Sequence, residues 1–349
     1  MSIARTRTDT HWHTQWRRRD AFLEDWRQNF RTVIRRADVV LHPTARGMRT
    51  GVQMGLDGGN PTRQLDALIH EVDPGTVTTI HRHSWDAIMM PEAGNGWIEI
   101  DGRRIDYRPW DGIVIPAWAW HRSGNDGDTV SRYVTWSSEP LLESMNLAVI
   151  EDAGHAPFDA LAPLTTPLGQ LDGDDPYAVR VNRLSASEAR RRSQRLHVDY
   201  DEVELRVNPK GTRSKFLHDE SIGNVTSGLT SVMLQFAPGY HQSMHRHPGE
   251  AWLYVVEGHG HSYVGPEITG GETFDWGPGD LVVVDHWLWH QHFNDDPVQP
   301  ARIVRVHLFA TLLETMRAAV YPLNLFEERL ETAPEVSAVE WPEDVRRPR

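Results

Sequence analysis

Two stretches of the chain read as copies of one another. The first, HRHSWDAIMMPEAGNGWIEIDGRRIDYRPWDGIVIPAWAWHRSGN, runs from His81 to Asn125. The second, HRHPGEAWLYVVEGHGHSYVGPEITGGETFDWGPGDLVVVDHWLWHQHFN, runs from His245 to Asn294. His-Arg-His opens both, an alanine follows four positions after the second histidine (Ala87, Ala251), and Trp-x-Trp-His precedes the closing asparagine. The offset between copies is 164 residues from His81 to His245 and 169 from His121 to His290. The extra residues fall in the Gly-rich stretch Gly265–Gly271, where lengthening a turn costs little.

Each copy reads as all-β. Apolar runs at Gly112–Ile115, Trp252–Val256 and Leu281–Val284 are bounded by the turn pairs Asp101-Gly102, Gly270-Gly271 and Pro278-Gly279. Further strands are expected near Gln64–Val72 and Thr230–Phe236, each followed by a Pro-Gly turn. Short strands at this spacing indicate a sandwich or closed barrel. The fold class is therefore mainly all-β, with two tandem barrels and flanking helices. The chain divides into an N-terminal helical arm (1–60), a first barrel (61–137), a linker with a helix (138–212), a second barrel (213–310) and a C-terminal helix and tail (311–349). Helices are expected over Arg17–Ala37, near Ser187–Arg195 with Ser185 or Ser187 as cap, and over Ala310–Val320, with a Pro-rich coil over Ala156–Pro176.

Composition narrows the chemistry. A net charge of −13 over 349 residues offers no basic face for nucleic acid or an anionic membrane. The runs Arg17–Arg19 and Arg190–Arg192 are short and read as solvated helix charge. With no cysteine, disulfides, thiolate ligands and cysteine nucleophiles are all removed, so a metal must use His, Asp or Glu. The first twenty residues are rich in Arg and His and lack an apolar core, and no apolar run reaches the ~20 residues of a membrane span. A cytoplasmic protein is expected.

In a strand, residues i and i+2 share a face, so His81 and His83 can aim at one point while Arg82 faces away. His121, on a later strand, supplies a third imidazole, and His245, His247 and His290 repeat the set. Imidazole suits Fe, Zn, Cu and Ni, and three histidines leave coordination positions open, unlike a closed structural zinc site.

These residues resemble a known family. Gly75-x5-His81-x-His83 and Gly239-x5-His245-x-His247 look like the first cupin motif. Pro116-x-Trp118-x2-His121-x3-Asn125 and Gly279-x5-Asp285-x-Trp287-x2-His290-x3-Asn294 look like the second. The resemblance implies two cupin barrels of the double-stranded β-helix, or jelly-roll, type. An all-histidine bicupin with Ala87 and Ala251 after the His-Arg-His looks like the gentisate dioxygenase group, which includes salicylate and 1-hydroxy-2-naphthoate dioxygenases. That implies Fe(II), one or two per chain, with Mn, Ni or Zn as alternatives. It also implies dioxygen and a small aromatic substrate as partners, ring cleavage of an extradiol-like kind beside a hydroxyl and a carboxylate, and a homo-oligomer.

The chain departs from the group at three places. The arginine that usually follows the second histidine by six residues and holds the substrate carboxylate is Met89 in the first copy and Leu253 in the second. The further histidine two residues after the third ligand is Ser123 in the first copy and His292 in the second. The proline of the second motif is Asp285 in the second copy, and its glycine is Trp110 in the first. Asp86 and Glu250 come one residue too early for the glutamate that many cupins add, and alternation points them away from the metal.

His292 shares a strand face with His290 and is a candidate catalytic acid/base. Met89, Trp118, Trp120, His70, Trp287 and Trp289 are candidate substrate-binding residues, the aromatics as clamps for a planar ring. His259 and His261 fit a surface hairpin, and His11 and His13 incidental composition. Two other readings compete with the dioxygenase: a non-oxidative metal-dependent isomerase, hydrolase or decarboxylase, and a small-molecule-binding protein without catalysis.

Overall fold

The computed structural model describes residues 10–60, 62, 64–162, 169–208, 211–226, 228–308, 327–333 and 348. Four antiparallel sheets make two barrels. In the first, a seven-stranded sheet runs in the order His197–Val198, Gly112–Ile115, Ala87–Ala93, Ser131–Ser137, Asp66–Val72, Arg49–Met54, His42–Pro43. It faces a five-stranded sheet ordered Ile150–Asp152, His81–His83, His121–Gly124, Gly96–Ile100, Arg103–Tyr107. The second barrel repeats this. Its larger sheet is Val33–Ile34, Leu281–Val284, Ala251–Glu257, Ala301–Leu308, Leu229–Phe236, Arg213–His218, Arg206–Val207, and its smaller one is Glu272–Trp276, Gly260–Gly265, Trp289–Asn294, Met244–Arg246, Glu327–Arg329.

The two larger sheets pack back to back, which explains their continuous apolar runs. A strand buried on both faces has no polar alternation to keep. On Ser131–Ser137, Tyr133 points into its own barrel core while Val134 and Trp136 point to the other barrel. On Ala301–Leu308, Ile303 faces the lumen while Val304, Val306 and Leu308 enter the shared core. Trp136 and Tyr254 meet edge to face there, their rings 5.9 Å apart. Polar bonds cross the same seam. Tyr254 Oη donates to Glu92 Oε1 at 2.6 Å, Gln53 Nε2 to the Gly279 carbonyl at 2.7 Å, and His218 Nε2 to the Ile113 carbonyl at 3.0 Å. Gly112 permits the approach, since a Cβ there would sit 2.5 Å from the Leu217 carbonyl oxygen.

The N-terminal helix spans His11–Asn29 rather than Arg17–Ala37. Residues Val33–Ile34 are taken by the edge of the second barrel's larger sheet, pairing with Val282 and Leu281, and tertiary pairing overrides local helical preference. Trp26 Nε1 donates to Asp285 Oδ2 at 3.1 Å, and Arg35 pairs with Asp280 at 2.7 Å. Asp285, which replaces the motif proline, is thus an anchor for the arm.

The linker helix spans Pro176–Arg192 rather than Ser187–Arg195, and Asp175, not Ser185 or Ser187, caps it by accepting from the Tyr177 and Ala178 amides. Asp-Pro at a helix start is the sequence signal for this, because proline at the first helical position loses no bond. Among the described residues, the coil before it contains the helical turn Phe158–Ala160. The linker also supplies edge strands to the first barrel, at Ile150–Asp152 and His197–Val198. The helix expected over Ala310–Val320 lies outside the described residues. Among the described residues, no helix is long and apolar enough to cross a membrane.

The shared core should dominate stability. Trp136→Ala is expected to cost about 3–5 kcal/mol, the range for removing a large buried aromatic. Denaturant titration of the full chain measures this, and a loss below about 1 kcal/mol would contradict the packing described.

Candidate metal centres

Each histidine trio rests on one backbone pairing. His81 lies directly opposite His121, and His245 opposite His290, in antiparallel register. Alternation along His81–His83 and Met244–Arg246 then brings the second His of each motif to the same face. Ring centroids lie 4.1 Å apart for His81 and His121, 4.9 Å for His83 and His121, and 5.5 Å for His81 and His83. The second trio gives 4.2, 5.0 and 6.1 Å for the corresponding pairs. In each trio one nitrogen per ring lies within 4.8 Å of the others, and all six side chains are buried.

Hydrogen bonds prepare these rings for a cation. Nδ1 of His83 donates to the Trp85 carbonyl at 2.7 Å and Nδ1 of His121 to that of Ala119 at 2.9 Å. Nδ1 of His245, His247 and His290 donate to the carbonyls of Ser243, Pro248 and Leu288 at 2.8, 3.3 and 2.9 Å. A carbonyl can only accept, so the proton sits on Nδ1 and Nε2 keeps its lone pair, the tautomer a metal ligand needs. His81 Nδ1 is buried without a hydrogen-bond partner among the described residues. Burial favours the neutral form of the first trio. It pushes His83 down to about 4 and drives His81 and His121 lower still, with the neighbouring imidazoles adding to the effect. The donor sets therefore fit a divalent metal.

The rest of the repeat holds this geometry. Trp118 and Trp287 both sit at positive φ, +64° and +61°. Their amides donate to the carbonyls of His83 and His247 at 2.6 and 3.1 Å, pinning each His-x-His strand. Asn125 Nδ2 donates to the carbonyls of Val72 and Thr129, and Asn294 Nδ2 to those of Ala237 and Gln299, closing the loop after each third histidine.

Each trio opens on a cavity of about 250 Å³. His70 and Met89 line the first. His70 bonds Thr50 and Thr135 at 3.0 and 2.9 Å and stacks on Tyr133. Trp85 also lines it, stacked on His83 at 4.5 Å. His292 lines the second, its Nδ1 2.7 Å from Ser262 Oγ, and burial lowers its pKa well below the usual value.

The four tryptophans of Trp-x-Trp-His lie elsewhere. Trp118 and Trp120 sandwich the Arg82 guanidinium, at 5.5 and 4.5 Å from their ring centroids, and border a groove against the linker helix. Trp287 and Trp289 hold Arg246 at 4.6 Å each. The reason is the same alternation that places the histidines. Trp120 and Trp289 immediately precede inward-facing ligands, so they face outward, as Arg82 and Arg246 do. Expecting them as pocket clamps contradicts that period.

Asp86 and Glu250 stay out of the ligand sets. Asp86 accepts from the Ala117 amide at 2.8 Å, and Glu250 from Trp252 Nε1 at 2.9 Å. His261 pairs with Asp295 on the surface hairpin. Sequence reasoning missed Arg46, Asp66 and Tyr133 in the first cavity, and Asp219, Arg305 and His307 in the second. Arg305 and His307 had a signal, their spacing of two on a strand. Arg46 comes from a loop and had none.

The Cupin domain family matches residues 68–137 and 232–307. Both barrels are cupin domains. This bicupin is 26% identical over 288 residues to the 1-hydroxy-2-naphthoate 1,2-dioxygenase of Nocardioides sp. strain KP7, covering 78% of the chain and 71% of that protein. It is 22% identical over 243 residues to gentisate 1,2-dioxygenase 1 of Aquipseudomonas alcaligenes, covering 66% of the chain and 67% of the relative. Its fold matches the salicylate 1,2-dioxygenase of Pseudoaminobacter salicylatoxidans solved with gentisate, at TM-score 0.59 and 15% identity over 94% of the chain and 97% of that structure. It also matches the oxalate decarboxylase of Lactobacillus farciminis in its formate complex, at TM-score 0.57 and 15% identity over 89% and 97%.

The first cavity carries a pH-sensitive carboxyl. Asp66 is pushed up to about 8, by burial first and by nearby Glu139, against a bond from the Ser137 amide. An acid raised on folding binds its proton more tightly in the folded state, so stability is lost as pH rises from about 4 towards 8. Asp66→Asn, which cannot ionise, is expected to flatten that decline in unfolding free energy between pH 4 and 8. An unchanged slope would contradict it.

Proposed function

We propose that this bicupin is an Fe(II)-dependent dioxygenase that opens the ring of a hydroxylated aromatic compound, an aromatic hydroxy acid being the substrate class its relatives' names favour. The observation that carries the reading is the pair of buried three-histidine sets, each opening on a cavity sized for a single ring. His81, His83 and His121 would hold metal in the first barrel, and His245, His247 and His290 in the second. When bound, Fe(II) supplies the electron transfer that lets dioxygen react with an electron-rich ring.

The chain does the rest. Burial excludes bulk water, which strengthens every polar contact around the substrate. His292, held neutral and fixed by Ser262, can take or return a proton at its ring nitrogen in the second cavity. In the first, Met89, Trp85 and the His70–Tyr133 stack supply apolar walls for a flat ring. The relatives are named for 1,2-dioxygenation. The ring opening proposed is therefore at the bond between the hydroxyl-bearing carbon and its carboxylate-bearing neighbour.

A second reading has one specific support, the equally good fold match to an oxalate decarboxylase. It makes the metal a Lewis acid and predicts turnover without oxygen.

Elemental analysis of anaerobically purified chain, with His81→Ala and His245→Ala variants, tests the sets. About one iron per intact trio is expected, lost barrel by barrel, with at least the roughly 10- to 100-fold drop in affinity that even an outer partner's loss brings. Oxygen-electrode assays should then show uptake stoichiometric with an aromatic hydroxy acid. Zinc or manganese unaffected by either substitution, or turnover without oxygen, would overturn the dioxygenase.

A further inference from the structure

The second cavity contains a cation that the sequence motifs do not account for. Leu253, six residues after His247, lies directly opposite Arg305 in antiparallel register. Directly opposed residues on one face have Cβ atoms about 4.5–5.5 Å apart. Arg305 shares its face with Ile303, part of the lumen core, and with His307, whose ring packs on His247 at 4.8 Å. Its side chain therefore enters the lumen and lines the cavity beside the histidine trio. Its Nε is buried with no hydrogen-bond partner among the described residues. The acidic group that bears on it is Asp219, which also lines the cavity and accepts from the Ser221 amide at 2.8 Å.

The first barrel differs at the same place. Met89 lies opposite Thr135, which is neutral and bonded to His70. The cation there, Arg46, comes from the loop before Arg49–Met54 and donates through Nη2 to the Thr79 carbonyl, its Nε buried, like that of Arg305, with no hydrogen-bond partner among the described residues. Of the two barrels, the second presents an arginine on the strand facing that position, with His307 on the same strand and His292 lining the cavity from the opposite sheet. A buried guanidinium without a full set of acceptors is costly, and its planar fork matches a carboxylate with two parallel bonds.

We propose that the second barrel contains the chain's carboxylate-binding subsite, with Arg305 receiving the acid group of an aromatic hydroxy acid whose ring fills the cavity beside His245, His247 and His290. This rests on the metal-site reading above and adds to it which barrel recognises the acid, and through which residue. Arg305 takes the role from one strand over, so Leu253 can remain apolar wall.

Anaerobic calorimetric titration of the full, metal-loaded chain tests this, with salicylate as the anionic probe and salicylamide as its neutral counterpart. The wild type should bind salicylate. Arg305→Gln should weaken it roughly 10- to 100-fold, the cost of a charged hydrogen bond, and leave salicylamide nearly unchanged. Arg305→Lys, which keeps the charge without the fork, should fall between. Asp219→Asn, removing the opposing carboxylate, should tighten salicylate roughly two- to fivefold, a gain that misfolding cannot mimic.

The proposal is overturned if the wild type does not bind salicylate, or if folded Arg305→Gln binds it as tightly. It is overturned too if the loss extends equally to salicylamide, or if Arg46→Gln takes the loss instead. Should Arg305→Gln fail to fold, unchanged binding by Asp219→Asn overturns it. Oxygen uptake separates the two readings. Binding that depends on Arg305 without oxygen consumption leaves the subsite standing and removes the oxygenase. Oxygen consumption indifferent to Arg305 does the reverse.

Discussion

A single register decides the chemistry of each barrel: the antiparallel pairing that sets His81 against His121 and His245 against His290. A slip of one residue would turn Arg82 and Arg246 inward and the imidazoles outward. Much of the repeated motif guards against that slip. The strained turns at Trp118 and Trp287 fasten the second histidine's carbonyl, and strain of about 1–3 kcal/mol persists only where the surroundings impose it. Outside the barrel, the guanidiniums of Arg82 and Arg246 sit between tryptophans and bond Glu151 and Glu327. An arginine so held would have to leave both its aromatic and its ionic partners to face inward.

The back-to-back packing adds a second constraint. The larger sheet of each barrel is buried on both faces, so its strands cannot shift without breaking two cores at once. The sheet that gives each barrel half its lumen is therefore also the seam between barrels. Tyr133 and Arg305 line the cavities from the same strands whose next residues, Val134 and Val306, fill the shared core. Rigid support of this kind is what a site needs if its polar groups are to be aimed before a ligand arrives.

The repeat was legible because it obeys a period of two. His-Arg-His, the strand Leu281–Val284 and the third histidines all followed from alternation and turn residues. The tryptophan clamps failed against the same rule. Trp120 and Trp289 adjoin inward ligands, so the period sends them out, whatever the chemical suitability of their rings for a flat substrate. Other features depend on tertiary pairing, which no local window contains. Val33–Ile34 continues an apolar pattern that reads as helix, yet the edge of a sheet some 250 residues away claims it. Arg305 lies in an ordinary apolar strand, and its relation to Leu253 exists only once the two strands pair.

That pairing also bears on why duplicated barrels can keep identical ligands and diverge around them. The three histidines and the Trp-x-Trp-His turn are backbone-coupled, so changing one disturbs strand, turn and metal together. The facing positions are coupled only through the cavity. Thr135 against Arg305, and Ser123 against His292, exchange neutral groups for basic ones without touching the ladder. A divalent cation already raises the potential of such a cavity, and an added guanidinium raises it further at low effective dielectric. Of the acids nearby, Asp219 lines the second cavity and Glu250 is bonded to Trp252 outside the ligand set. The second cavity sets Arg305 beside Asp219, while the first sets Arg46 beside Glu139 and an Asp66 whose carboxyl burial pushes up to about 8. The histidine sets are the same in both barrels, so what distinguishes the two cavities is the groups that face those histidines.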